Sequence, residues 1–114
     1  MAGGAQLSVT DMRRAARHPV DYPVIGEHRR LGDLMLHIVN ISANGFMIKG
    51  ETQLGRGERL TIRLPHAGRI EAFVVWNDGE RAGFQFERII RQDEFLKTVE
   101  GMQPNLRLRA GRRR

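Results

Sequence analysis

Cysteine is missing from this 114-residue chain. Its absence excludes disulfides, thiolate metal sites and thiol catalysis. Long apolar runs are missing as well. No stretch approaches the ~18 apolar residues of a membrane span, and the first residues hold no apolar run of the signal-sequence kind. A soluble cytoplasmic protein is the expectation. Lysine is scarce: Lys49 and Lys97 are the only two, and the other 17 of the 19 basic residues are arginine. Acid is absent from residues 105–114, which carry Arg107, Arg109, Arg112, Arg113 and Arg114. Without that stretch the net charge falls from +6 to +1, with 14 basic against 13 acidic residues. The high pI therefore belongs mostly to a tail, and does not mark the folded part as a nucleic-acid surface. Catalytic parts are lacking too. The sequence suggests no Ser–His–acid set, no paired carboxylates and no glycine-rich phosphate loop before a helix. His28, His37 and His66 do not have metal-ligand spacing. Neither an enzyme nor a metal or cofactor site is expected.

A chain of this size buries over ~60% of its unfolded surface, enough for one core. Residues 1–12 are Gly/Ala/polar and are expected to be flexible. Arginines at 13–17 can start a helical turn, which His18-Pro19 stops. Residues 20–25 read as a first strand, with Pro23 suited to an edge. The stretch 26–32 reads as a turn. A second strand is expected over 33–39, with Leu34, Leu36 and Ile38 on one face. A short third strand over 45–49 follows the turn signal Asn44-Gly45. Residues 59–64 alternate cleanly, Leu60, Ile62 and Leu64 against Arg59, Thr61 and Arg63, as in a half-buried antiparallel strand. Residues 69–76 are apolar on both faces from Ala72 onward. Asn77-Asp78-Gly79 predicts a type I′ hairpin turn into a sixth strand over 81–87, with Phe84 and Phe86 inward. Six short strands separated by Gly/Pro turns predict an all-β, six-stranded antiparallel barrel. A C-terminal helix is expected over 92–100, with Asp93 as cap, Gly101 as terminator, and Phe95, Leu96, Val99 and Met102 on one stripe plugging the barrel. Residues 13–103 would form this domain, and 104–114 a disordered Arg-rich tail.

Two stretches stand out. Arg13 and Arg17 lie four apart, a spacing that points both the same way if the segment forms one turn. Arginine matches the O6/N7 edge of guanine, stacks on purines and forks onto phosphate. Asn40, Ser42 and Gly45 then offer an amide, a hydroxyl and a glycine at i, i+2, i+5. The Asn40 amide oxygen can accept from guanine N1 and N2, Ser42 can bond a phosphate or base, and Gly45 permits close approach and positive φ. Arg14 and His18 are possible accessories. Taken singly, an arginine run is commonly a solvated cluster, and Asn-x-Ser-x-x-Gly is commonly a turn. Trp76 reads as rim or core packing in preference to a stacking platform.

In this order, inside this strand pattern, the two stretches resemble the PilZ domain. That family is similar in having RxxxR, then [D/N]xSxxG between two strands, then an aromatic and glycine-rich hairpin. The hairpin is matched here by Val75-Trp76 through Ala82-Gly83-Phe84-Gln85-Phe86. The resemblance runs from about Arg13 to Phe95. It implies a six-stranded barrel with a C-terminal helix, and cyclic di-GMP as ligand, as one molecule or an intercalated pair. Asn40 stands where many members have Asp. Without the charge its bonds to guanine should be weaker by ~1 kcal/mol.

The expected function is a cyclic di-GMP receptor or adaptor. Ligand binding would order the RxxxR segment, and the bound face would meet an effector protein. Two alternatives differ in class. One is a ligand-independent interaction module in motility or exopolysaccharide control. The other, ranked last, is a small barrel binding nucleic acid through its tail.

Overall fold

The structure, a computed structural model, describes residues 16–102. Strands β1 (His18–His28), β2 (Gly32–Ile41), β3 (Gly45–Lys49), β4 (Arg59–Leu64), β5 (Gly68–Asn77) and β6 (Arg81–Phe86) precede one helix, α1 (Gln92–Met102). The strands close into an antiparallel barrel in the order β1-β2-β3-β6-β5-β4. The expected flexible segment 1–12, the expected tail 104–114, and Arg13 and Arg14 lie outside the described residues.

Alternation builds the barrel. In β4, Leu60, Ile62 and Leu64 are buried while Arg59 and Arg63 face solvent. Ile70, Ala72 and Val74 of β5 and Ala82, Phe84 and Phe86 of β6 complete that wall. Phe46 of β3 stacks on Phe84 with ring centroids 4.7 Å apart and planes at 6°, and its ring tilts against Phe86 at 5.5 Å. The connection after β3 crosses the barrel to reach β4 and drops Leu54 into the core. Two carbonyls in it, Thr52 and Leu54, receive the Asn77 amide at 3.2 and 2.9 Å.

β1 runs three residues beyond its expected end, and the first turn is correspondingly tight. His28 pairs with Gly32, whose φ is +77°. The imidazole Nδ1 of His28 accepts the backbone N–H groups of Arg30 and Leu31 at 3.1 and 3.0 Å. A side chain thus supplies the turn's bonds, which strand propensity does not register. Pro23 behaves like an edge residue although the barrel is closed. β1 pairs with β4 only at Glu27–Thr61, so a missing N–H at Pro23 breaks no rung there.

Four details depart from expectation. In the β5–β6 turn only Gly79 has positive φ, at +97°, whereas a type I′ turn needs it at both central residues. The Asp78 carboxylate instead receives the N–H groups of Glu80 and Arg81 at 3.0 and 2.9 Å. In α1 the buried stripe is Phe95, Thr98, Val99 and Met102, and Leu96 is 53% exposed. The i, i+3, i+4, i+7 rows select Thr98 over Leu96, and the Thr98 hydroxyl is satisfied by donating to the Glu94 carbonyl at 3.0 Å. Asp93 lies inside the first turn, since Phe95 N–H already donates to the Arg91 carbonyl at 2.7 Å. Gly101 lies within the helix and does not end it. A Cβ there would come within 2.5 Å of Pro65 Cβ, so its task is close packing on the β4–β5 turn.

Candidate functional site

Two β-bulges set the outer face of the barrel. Strict alternation from the buried Ile38 would turn Asn40 inward and Ile41 outward. The register shift between Ile38 and Asn40 reverses this: Ile41 is fully buried and Asn40 faces out, half-buried, beside Met47. In β5 the shift between Val74 and Trp76 does the same, placing Trp76 on the outside opposite Gly83. An extra residue on one strand re-aims the side chains that follow it. The two bulges flank β3 and β6, whose outward residues Gly45, Met47, Gly83 and Gln85 lie between them.

The result is a cleft of about 390 Å³, within the usual range for small-molecule sites. Arg17, Asn40, Ser42 and Asn44 line one side and Val75 and Trp76 the other, with Ile89 also exposed on it. Glycine is required on the floor. A Cβ on Gly45 would overlap the Phe84 carbonyl oxygen, and one on Gly83 would overlap the pyrrole edge of the Trp76 indole. Gly45 is therefore needed for strand contact, and its φ is not positive as the sequence suggested. Trp76 packs on the rim of the cleft over Gly83.

The loop after β2 is held by its own backbone. Ser42 N–H donates to the Gly45 carbonyl at 2.8 Å, the Asn44 carbonyl accepts from Phe86 N–H at 2.8 Å, and that of Ala43 accepts from Ile90 N–H at 3.0 Å. Ser42 Oγ accepts the Asn44 N–H at 3.2 Å, leaving its hydroxyl proton to donate outward. Among the described residues Asn40 uses its amide only in a 3.9 Å approach of Nδ2 to Met47 Sδ, so its oxygen keeps its acceptor capacity toward them.

Among the described residues the lining includes one cation, Arg17, and no carboxylate, histidine or lysine. Amides, a hydroxyl and a guanidinium suit an anionic, hydrogen-bonding ligand with flat apolar surface. Arg17, Asn40, Ser42 and Gly45 thus share one cleft. His18 does not line it; its ring packs against Phe95 at 5.3 Å. Arg13 and Arg14 fall outside the described residues. Asn44, Met47, Val75, Gln85 and Ile89 were not among the ligand residues expected from sequence. Strand alternation points to Met47 and Gln85, and the Asn-Gly turn to Asn44.

A family profile for the PilZ domain matches residues 11–99. Among solved structures, the chain is similar to the PilZ domain of CeSA from a cellulose-synthesizing bacterium, with TM-score 0.52 and 16% identity, covering 76% of this chain and 94% of that one. It is also similar to the Bacillus subtilis inhibitor of motility, MotI/DgrA, with TM-score 0.52 and 23% identity over 86% of this chain. There it spans only 51% of the other protein's length. At these identities the likeness concerns the fold. A comparison with curated proteins gives no match. With the profile covering most of the chain and the barrel matching both neighbours, the chain belongs to the PilZ domain family.

Proposed function

We propose that the protein is a cyclic di-GMP receptor that relays ligand binding to an effector protein. The carrying observation is that Arg17, remote in sequence from the Asn40–Gly45 corner, borders one cleft with Asn40, Ser42 and Gly45, and that no acidic side chain lines it among the described residues. In this reading Arg17 forks onto a guanine edge or a phosphate. The Asn40 oxygen accepts from guanine N1 and N2, and the Ser42 hydroxyl donates to phosphate. Gly45 keeps β3 close to β6 and so fixes the floor. Binding draws Arg13 alongside Arg17, ordering that segment over the cleft, and the covered face meets the effector. The PilZ membership and the cleft's chemistry support this reading.

Titration calorimetry tests it. Wild-type protein should bind cyclic di-GMP with micromolar or tighter affinity, and Arg17→Ala or Ser42→Ala should weaken binding by about 10- to 100-fold. No heat with the wild-type protein at sub-millimolar ligand would defeat the proposal. One observation favours a second reading, a ligand-independent docking module. Ile25 and Met35 are paired neighbours on β1 and β2 and are 48% and 72% exposed. Effector capture that ignores both the nucleotide and Arg17→Ala would select that reading.

A further inference from the structure

Lys49 of β3 lies directly opposite Arg81 of β6. Like charges facing one another across a ladder destabilise it. Both residues are exposed, and neither is ion-paired among the described residues. The barrel neutralises such charges elsewhere. Arg63 also faces Arg69, but Glu27 accepts two hydrogen bonds from Arg69 at 3.1 and 3.2 Å. Arg59, Arg30 and Arg88 have Glu87, Glu58 and Glu94. Asp78 and Glu80 precede Arg81 in the turn; Asp78 Oδ1 is occupied by two backbone N–H groups, so Arg81 feels that carboxylate through space and not in an ion pair.

The pair, without an ion-pair partner, borders a hollow of about 380 Å³ completed by Arg17, Pro19 and Val39, with no acid in its lining among the described residues. Arg17, Asn40 and Met47 line both this hollow and the cleft, so the two adjoin. We propose that the hollow is a phosphate-binding subsite, in which Lys49 and Arg81, with Arg17, hold a phosphate group beside the ligand in the cleft. A phosphate between an ammonium and a guanidinium converts a repulsive rung into a bridge. The inference deepens the cyclic di-GMP reading and rests on it only for the identity of the cleft's ligand. The phosphate has two sources, the dinucleotide itself or a separate phosphate anion.

Two experiments keep the subsite and the ligand apart. In the first, millimolar sodium pyrophosphate is titrated into wild-type protein and backbone amide shifts are followed by NMR. Shifts should centre on Ile48, Lys49, Arg81 and Ala82. They should vanish in the Lys49→Gln/Arg81→Gln double variant and persist in Arg63→Gln. Shifts spread over all exposed arginines, or none at Lys49 and Arg81, would overturn the subsite. This readout does not involve cyclic di-GMP and decides the matter even if that ligand fails to bind. In the second, calorimetry with cyclic di-GMP should show Lys49→Gln and Arg81→Gln each weakening binding about tenfold at low salt, with a smaller penalty at high salt. Unchanged affinity at low salt would overturn the link to the cleft. Competition between pyrophosphate and the dinucleotide assigns the hollow to the ligand's own phosphate, and simultaneous binding assigns it to a separate anion; either supports the subsite. The double variant should also melt at or above the wild-type temperature in phosphate-free buffer, because repulsion has been removed. A lower melting temperature would overturn the view that the bare pair is held against repulsion.

Discussion

Gly45 and Gly83 occupy the two places on the cleft floor where a methyl group has no room. The obstacle at Gly45 is main chain, the Phe84 carbonyl, which can move only if β3 parts from β6. Gly45→Ala should therefore cost about 1–3 kcal/mol in urea unfolding and weaken any ligand held by Ser42. The obstacle at Gly83 is the indole of Trp76. Gly83→Ala should cost less, about 1 kcal/mol, because that ring can swing outward. Its signature is a red shift in emission from the chain's single tryptophan. His28 is the other residue whose surroundings settle its chemistry. Its side chain is only 7% exposed. Since Nδ1 accepts two backbone N–H groups, the ring proton belongs on Nε2, which donates to Glu58 Oε1 at 2.9 Å. His28→Ala removes all three bonds and should lower stability by about 2–3 kcal/mol in the same assay.

At the scale of elements, burial ranks the helix and the crossing connection in an order that hydrophobicity alone does not give. Leu96→Ser should change stability by no more than about 0.5 kcal/mol, because Leu96 faces solvent. Leu54→Ala should cost about 2–5 kcal/mol, although Leu54 belongs to no strand, because its side chain fills the core. Thermal and urea melts of the two variants side by side check both. The strands themselves were legible from alternation, as in Leu60, Ile62 and Leu64, because each faces one core and one solvent side. The bulges at Val39 and Val75 were not. An extra residue opposite one partner leaves no periodic mark, and both stretches are locally apolar. The sequence places Asn40 just past the expected strand 33–39; the shift beside Val39 is what turns it outward. Thr98 escaped notice because a buried hydroxyl is anticipated only once its i−4 carbonyl is known to be in reach.

For the whole molecule, acid is the informative perturbation. The pKa of Glu58 is lowered from 4.5, first by the Gly55 backbone N–H and then by His28, with smaller help from Arg30. That of Asp78 is lowered from 3.8, first by the backbone N–H of Arg81 and then by that of Glu80. A carboxylate lowered by folding contributes stability that is present above its ordinary pKa and is lost as pH falls through the folded value. The urea midpoint should therefore hold steady down to about pH 5 and then fall. Glu58→Gln should flatten the upper part of that fall. The overall barrel, its helix and the position of the Asn-x-Ser-x-x-Gly corner could be read before any coordinates, since short strands, turn residues and one amphipathic segment leave few ways to bury a core. The hollow beside Lys49 and Arg81 could not, because it depends on which residues face each other across a ladder, and residue order does not reveal pairing. One joint of the cylinder differs from the rest: β1 meets β4 at the single rung Glu27–Thr61. This is a seam along which the wall can unzip without loss of any other backbone rung, with Glu27–Arg69 and His28–Glu58 among the side-chain bonds that cross it. β1 begins immediately after Arg17, so whatever grips that guanidinium also pulls on the loose stave. Occupancy of the cleft would then be felt as slower amide exchange at Glu27 and Thr61, at the far end of β1.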